Sequence, residues 1–308
     1  MKIKEQHIYI ILAAVIVIWG LNTVMIKYLS FFPPAIIAAI RMTVAALTLT
    51  PIIFAYRNKY HITKKQWGYV AGIGATSIAL HQIFIAWGMQ MTTAGNASLI
   101  LALNPLVTAI LAAIFLRESI HLRKIIGVIL GFSGVLLVVG GSTHTDMNSN
   151  IGDVIIFISM IMYVVGGLLI RKATSSGVPV LLLTACSQWI GALFLIFTSF
   201  IIYPMDTIVQ SFHIDGFTWF VIGISGMLAT GLGTLGWNMG IQRIGASRTS
   251  IFLNGMPIAG MFFATLLLDE PLTIVVAVAL LLTVAGVYLG STTPKLVKRT
   301  STLKQTEI

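Results

Sequence analysis

Residues 7–29 read HIYIILAAVIVIWGLNTVMIKYL, with no acidic residue and one lysine, Lys27. A transmembrane helix needs about 20 mostly apolar residues, and this stretch has that length. Only Met1 to Gln6 precede it, with Lys2 and Lys4 among them. A signal peptide would show a shorter apolar core and a small-residue cleavage site. This run instead continues into Trp19-Gly20-Leu21-Asn22, which predicts a retained first membrane helix.

Runs of the same kind follow at 34–56, 67–90, 94–116, 122–141, 151–170, 178–203, 216–241, 245–268 and 271–290. Together they predict an all-α membrane protein with ten transmembrane helices. The composition agrees: of 308 residues 57% are hydrophobic and 9% charged, against about 25% charged in a soluble domain. Too few polar groups exist to cover a water-facing surface, so a soluble globular protein is excluded. The connections leave no room for a soluble domain, and the only tail is the basic segment 291–308. Cys186 is the sole cysteine, which excludes a disulfide framework and cysteine-based metal or iron–sulfur sites. There is no H-E-x-x-H or G-x-x-x-x-G-K-[ST] pattern, so the sequence implies no metal and no cofactor.

The net charge of +10 forms no nucleic-acid patch, because the basic residues fall in short stretches between apolar runs. Lys and Arg collect on cytoplasmic loops. Lys2 and Lys4 begin the chain, Arg57, Lys59, Lys64 and Lys65 occupy the second loop, and Arg117, Arg123 and Lys124 lie at the fourth. Arg171 and Lys172 mark the sixth, Arg243 and Arg248 the eighth, and Lys295, Lys298, Arg299 and Lys304 the tail. The odd connections carry Asp146, Asp206, Asp215, Asp269 and Glu270 on or beside them. This asymmetry predicts that both termini are cytoplasmic and places the chain in the cell membrane.

The chain also repeats itself. Trp87 leads through Gly95 and Ser98 to Asn104-Pro105, Arg117-Glu118 and Gly134, while Trp237 leads through Gly245 and Ser247 to Asn254, Pro257, Asp269-Glu270 and Gly286. Trp19 stands eight residues before Lys27, and Tyr163 eight before Arg171. The two units, 7–141 and 151–290, hold five predicted helices each. An odd number makes the second unit enter the membrane from the opposite side. Inverted repeats of this kind belong to transporters, in which exchanging the conformations of the halves exchanges the open face.

These residues, Trp19-Gly20-x-Asn22, Lys27, Arg41, Asn104-Pro105 and Leu116-Arg117-Glu118 with their second copy, resemble the EamA branch of the drug/metabolite transporter superfamily over about 7 to 290. The resemblance implies a ten-helix fold around a central cavity, alternating access, and substrates such as amino acids and related metabolites, frequently exported. The second-half position matching Arg41 is Gln188, so a symmetric pair of arginines is absent.

Ionisable groups within a bilayer cost about 2.5–3.5 kcal/mol on insertion scales and so call for a reason. Lys27 lies close enough to a helix end to snorkel to the headgroups. Arg41 is deeper, and its guanidinium would either hold a substrate carboxylate or partner helix-end carbonyls and polar side chains. His81, beside Gln82, would bind substrate or exchange a proton, or else bridge helices. With no Asp or Glu in the middle of any run, proton coupling would fall to His81. Asn22, Asn104, Asn254 and Gln188 add neutral donors and acceptors suited to a polar or zwitterionic ligand. Trp19 and Tyr163 occupy matching places and would line the cavity or fill the seam between the halves. Trp87 and Trp237, near run ends, read as interfacial belt residues.

Pro105 and Pro257 interrupt corresponding helices, and paired interruptions point to a transporter site. Gly231 and Gly233, within a glycine-rich eighth run, favour bending. Gly68-xxx-Gly72, Gly127-xxx-Gly131 and Gly286-xxx-Gly290 allow close helix approach. The fifth and tenth runs, poor in polar residues, would be peripheral and available for a dimer, so the protein reads as a monomer or homodimer among membrane lipid. Multidrug or quaternary-ammonium export, and sugar or nucleotide-sugar transport, are the competing substrate readings. An intramembrane serine protease is a remote one, resting on Gly131-Phe132-Ser133-Gly134 and Gly223-Ile224-Ser225-Gly226, since a nucleophilic serine needs a base in reach.

Overall fold

The computed structural model describes residues 5–116, 122–141, 147–244, 249 and 251–291. Among them the chain is helical, with no strand. The predicted motif residues Arg117, Glu118, Gly245, Ser247 and Arg248, together with residues 292–308 of the tail, lie outside this set. We number the helical units α1 (Glu5–Tyr28), α2 (Pro34–Tyr56), α3 (Lys64–Met89), α4 (Ala94–Leu101 and Asn104–Leu116) and α5 (Leu122–Gly141). They continue as α6 (Met147–Ser175), α7 (Val180–Ile202), α8 (Gly216–Ile244), α9 (Ile251–Gly255 and Met256–Leu268) and α10 (Ile274–Ser291). Among the described residues, six stretches are long and apolar enough to cross a membrane: Gln6–Phe31, Pro34–Tyr56, Lys64–Met89, Asn150–Ser175, Val180–Ile202 and Gly216–Ile244. The remaining apolar helices are shorter.

Local chemistry sets the boundaries. Pro34 starts α2 at a position where the missing N–H costs nothing. Thr63 and Gln66 form a reciprocal cap at the start of α3: Gln66 N–H donates to Thr63 Oγ1 at 3.4 Å, and Thr63 N–H to Gln66 Oε1 at 3.0 Å. Asp215 caps α8 by accepting the Thr218 N–H at 3.0 Å and the Thr218 hydroxyl at 2.6 Å, and those hydrogen bonds hold its carboxyl below the usual carboxylate range.

Two helices change their winding midway. Gly74–Leu80 in α3 and Ser225–Leu232 in α8 are π-helical. Two others are interrupted: α4 breaks at Ala102 and Leu103 and restarts at Asn104-Pro105, while α9 begins as the tighter turn Ile251–Gly255 and continues from Met256-Pro257. Both prolines sit in the first turn of the restarted helix, where proline is tolerated. These irregularities fall at matching places of the two similar stretches noted in the sequence.

Packing follows the same correspondence. Helix α2 lies against α7 and against the π segment of α8, while α7 meets the π segment of α3. Helix α3 packs on α6 and α1 on α8; α1 also packs on α9. The two ends of the bundle differ chemically. At one, Lys27 donates to the carbonyls of Met89 at 2.9 Å and Thr92 at 2.6 Å, satisfying orphan acceptors at the end of α3 rather than snorkelling to headgroups. There too Asp269 takes a left-handed backbone (φ 52°), and Glu270 beside it accepts the N–H groups of Ala94 at 2.8 Å and Gly95 at 2.9 Å. A carboxylate on the first N–H groups of a helix is favoured by the helix dipole. The opposite end carries Lys64, Lys65, Arg171 and Lys172, and there Gln66 Nε2 donates to the Ser176 carbonyl at 2.9 Å.

The glycine pattern separates into used and unused positions. A Cβ on Gly286 would lie 2.3 Å from the Gly131 nitrogen and 2.7 Å from the Gly127 carbonyl oxygen. The small-residue faces read as sites of close helix approach therefore pair α5 with α10 inside one chain. A Cβ on Gly68, by contrast, would meet nothing within 4 Å, so the Gly68-xxx-Gly72 spacing makes no close helix contact at its first member. We expect Gly286→Ala to destabilise the protein by about 1–3 kcal/mol through overpacking against backbone. Gly68→Ala should be neutral or stabilising by up to about 1 kcal/mol; reversible unfolding in detergent checks both.

Candidate functional site

Two neighbouring cavities, which share lining residues, lie between the halves. The larger, of about 80 Å³, is lined by Trp19, Asn22, His81, Gln82, Asn104 and Tyr163, together with Ala229, Thr230, Leu253 and Met256 from the irregular parts of α8 and α9. The smaller, of about 40 Å³, shares Gln82, Tyr163, Thr230 and Thr234 with it and adds Gln188 and Asn238 toward the end that carries Arg171. Six of the sequence-derived candidates thus meet in one space, and Gln188 lines its extension. Asn254 falls in the tight turn that begins α9, and its side chain lies outside the described residues. Pro105 and Pro257 are buried beside the breaks. Gly231 lies within the π segment of α8, and Gly233 ends it. A Cβ on Gly233 would come 2.9 Å from Trp19 Nε1, so glycine there permits the close approach of α1.

Arg41 stands behind this wall rather than in it. It is fully buried in α2 and lines neither cavity. Its Nε donates to Ser225 Oγ at 2.7 Å, Nη1 to Gln82 Oε1 at 3.3 Å and Nη2 to Asn22 Oδ1 at 3.2 Å. The Ser225 hydroxyl in turn donates to the same Asn22 oxygen at 2.6 Å. Among the described residues no Asp or Glu bonds this guanidinium. Three neutral acceptors from α1, α3 and α8 take its N–H groups, and hydrogen bonds to a charged group are worth about 1.5–3 kcal/mol each. The approach depends on Gly226, where a Cβ would sit 2.8 Å from the Arg41 carbonyl oxygen and 2.8 Å from Val44 Cβ. Of the two readings that the sequence allows for Arg41, the contacts here are the polar side-chain partnership.

His81 has a fixed tautomer. Its Nδ1 lies 3.0 Å from the Ser159 carbonyl oxygen and 2.7 Å from Ser159 Oγ, while Ser159 Oγ donates to the His81 carbonyl at 2.9 Å. A carbonyl cannot donate, and the serine proton is already engaged. Nδ1 therefore carries the hydrogen, and the neutral ring offers Nε2 as an acceptor. The ring also meets Tyr163, centroids 5.0 Å apart. This geometry bears on protease chemistry: a protonated Nδ1 cannot act as base toward Ser159, which is wholly buried. Ser225 is engaged with Arg41 and Asn22, and neither it nor Ser133 bonds His81 among the described residues.

The aromatic pair joins the halves. Trp19 of α1 meets Tyr163 of α6 edge to face at 6.5 Å and lies 5.2 Å from Trp237, while its Nε1 donates to the Ala229 carbonyl at 2.9 Å within the π segment of α8. Trp237 is thus 6% exposed and buried against Trp19, not a belt residue; Trp87, 44% exposed, fits the belt. The helix carrying Trp237 runs on to Ile244, which moves the ring inward from where the apolar run ends.

Several residues of the site carry no signal in the sequence. Ser159 and Thr230 are ordinary small polar residues in apolar runs, and only their partners give them a role; Ser225 stands out in the sequence only within Gly223-Ile224-Ser225-Gly226, a pattern that points to another chemistry. Asp153, at the edge of the sixth run, is 2% exposed; the Thr92 hydroxyl donates to its Oδ1, and Oδ2 is buried without a partner among the described residues.

An all-helical chain with membrane-length apolar helices around a cavity lined by polar, aromatic and aliphatic side chains is a multi-pass membrane protein. The EamA-like transporter family model matches residues 6–140 and again 150–292, and the chain belongs to that family. It is 31% identical over 294 residues to YyaM, an uncharacterized transporter of Bacillus subtilis, covering 94% of each chain. It is 28% identical over 280 residues to an Escherichia coli protein named probable amino-acid metabolite efflux pump, covering 90% of this chain and 92% of that one. A crystal structure of a protein with 16% identity superposes with a TM-score of 0.68, over 93% of this chain and 98% of the other, and shares the fold.

Removing Ser225 Oγ would leave Arg41 Nε unpaired in a site that water does not reach. We expect Ser225→Ala to lower stability by about 1–3 kcal/mol, against less than about 0.5 kcal/mol for an exposed control such as Ser175→Ala. Thermal unfolding in detergent reads the difference.

Proposed function

We propose that this protein is a secondary transporter that moves an amino-acid-type metabolite out of the cell through the central cavity by alternating access. The observation that carries the reading is the position of the cavity. It lies where the π segment of α8 and the breaks in α4 and α9 converge, and His81 and Gln82 border it just beyond the π segment of α3. Those are the places where helices lack a continuous hydrogen-bond ladder and can bend. The same irregularities recur in both units, 7–141 and 151–290, as an inverted pair of five-helix repeats requires. In this reading the chain crosses the cell membrane ten times with both termini in the cytoplasm. The relatives named as amino-acid metabolite efflux pumps support the substrate class.

His81 holds two positions at once in this scheme. Nδ1 anchors it to α6, and Nε2 is left to meet the ligand. Purified protein in liposomes should exchange labelled amino acids saturably, and a pH gradient that accelerates exchange would add proton coupling. His81→Ala should abolish exchange while the protein remains folded, as judged by its unfolding midpoint; full activity in that variant across a range of pH would remove His81 from the site. No exchange of any amino acid by folded protein would overturn the substrate class.

Orientation is tested separately. In a Cys186→Ser background, cysteine at position 213 should react with a membrane-impermeant thiol reagent in intact cells, and cysteine at position 59 should react only after the membrane is opened. The reverse pattern would place the termini outside.

A further inference from the structure

Arginine has donors only, and this fact fixes the direction of two amides that border the cavity. Asn22 and Gln82 must turn their oxygens toward Arg41. Asn22 is pinned twice, because the Ser225 hydroxyl also donates to its oxygen. Their NH₂ groups therefore point away from Arg41. Both residues line the larger cavity, and neither amide nitrogen has a partner among the described residues or is a buried unpartnered atom. The cavity thus receives N–H donors at one place, with a guanidinium charge directly behind them. His81, the next residue to Gln82, presents the opposite polarity through Nε2. Asn104 supports neither end, since its partner at 3.2 Å is the Thr108 hydroxyl, which accommodates either amide orientation.

We propose that Arg41 is a positioning residue that sets the ligand polarity of the cavity. By locking Asn22 and Gln82 with their N–H groups inward, it makes a seat for a carboxylate, and His81 Nε2 receives the ligand's amine. The inference rests on the transport reading above and goes beyond it by assigning the two ends of the ligand and the residue that enforces them. A guanidinium behind the donors also disfavours a permanently cationic ligand at that seat.

Arg41 itself is a poor probe, since its removal would release three buried partners. The isosteric changes Asn22→Asp and Gln82→Glu are better: each keeps the oxygen that Arg41 bonds and takes away the inward N–H. The test is equilibrium binding of labelled leucine to purified protein, with isocaproate (leucine without its amine) and isoamylamine (leucine without its carboxylate) as competitors. Wild type should bind leucine, with isocaproate competing better than isoamylamine. In each variant leucine and isocaproate should weaken by about tenfold or more, the worth of one charge-assisted hydrogen bond, while isoamylamine holds or improves. Unchanged unfolding midpoints would exclude a loss of fold as the cause. Variants that bind leucine and isocaproate as wild type does would overturn the proposal, as would a wild type in which isoamylamine is the better competitor. In both of those cases leucine binding by wild type keeps the transport reading standing. If wild type binds none of the three probes, the amino-acid reading falls and the polarity assignment falls with it.

Discussion

A guanidinium inside a membrane-spanning helix has to be satisfied by something, and here it is satisfied without an acid. Arg41 draws Asn22 from α1, Gln82 from α3 and Ser225 from α8 to a single point. Each acceptor lies on a different helix, so the charge fixes the mutual approach of four elements, its own included. The cost of burying the ion is offset only if all three stay in place. Gly226 and the start of the π segment at Ser225 then follow as requirements: without close backbone approach the hydroxyl would not reach Nε. The shape of the cavity wall is thus a consequence of solvating one charge with neutral dipoles.

The two ends of the bundle are held by different chemistry. At one end Lys27 and Glu270 act on backbone groups of the α3–α4 corner, one on carbonyls and the other on N–H groups. These contacts tie residues from distant parts of the chain to one corner. At the other, the smaller cavity extends toward Ile170 and Thr184. The clasp with Lys27 and Glu270 is built from charge-to-backbone hydrogen bonds, each satisfying a helix-end group that would otherwise lack a partner.

How much is legible depends on the range of the interaction. Apolar runs are readable because a bilayer demands length and composition of each segment alone: 34–56 reads as a helix and α2 is Pro34–Tyr56. The depth of Arg41 and His81 is equally local. Their partners are not, since Ser225 lies 184 residues from Arg41 and Ser159 lies 78 from His81. Serine in a glycine-rich helix looks instead like a protease motif. Trp237 misleads because the apolar run ends before the helix does, and Lys27 because a lysine near a helix end usually escapes to water. The π segments leave no trace in α3, whose composition there is ordinary; in α8 the abundance of glycine hints at irregular winding. The small residues of α5 and α10 are legible as sites of close helix approach, but not which helix approaches: Gly286 packs against Gly127 and Gly131 of the same chain.

The π segments have a further meaning in terms of rotation. A π turn accommodates one residue more than an α turn, and an α-helix advances by about 100° per residue. Each segment therefore holds a surplus that, passed along its helix, would turn the residues it passes by about 100° about the helix axis and leave the ends of the span in place. In α3 the residues immediately beyond are His81 and Gln82; in α8 they are Gly233 and Thr234. Such a bulge would serve as a bearing: a helix could keep its ends fixed at the two membrane surfaces while the face it presents at mid-depth is exchanged for the next one around.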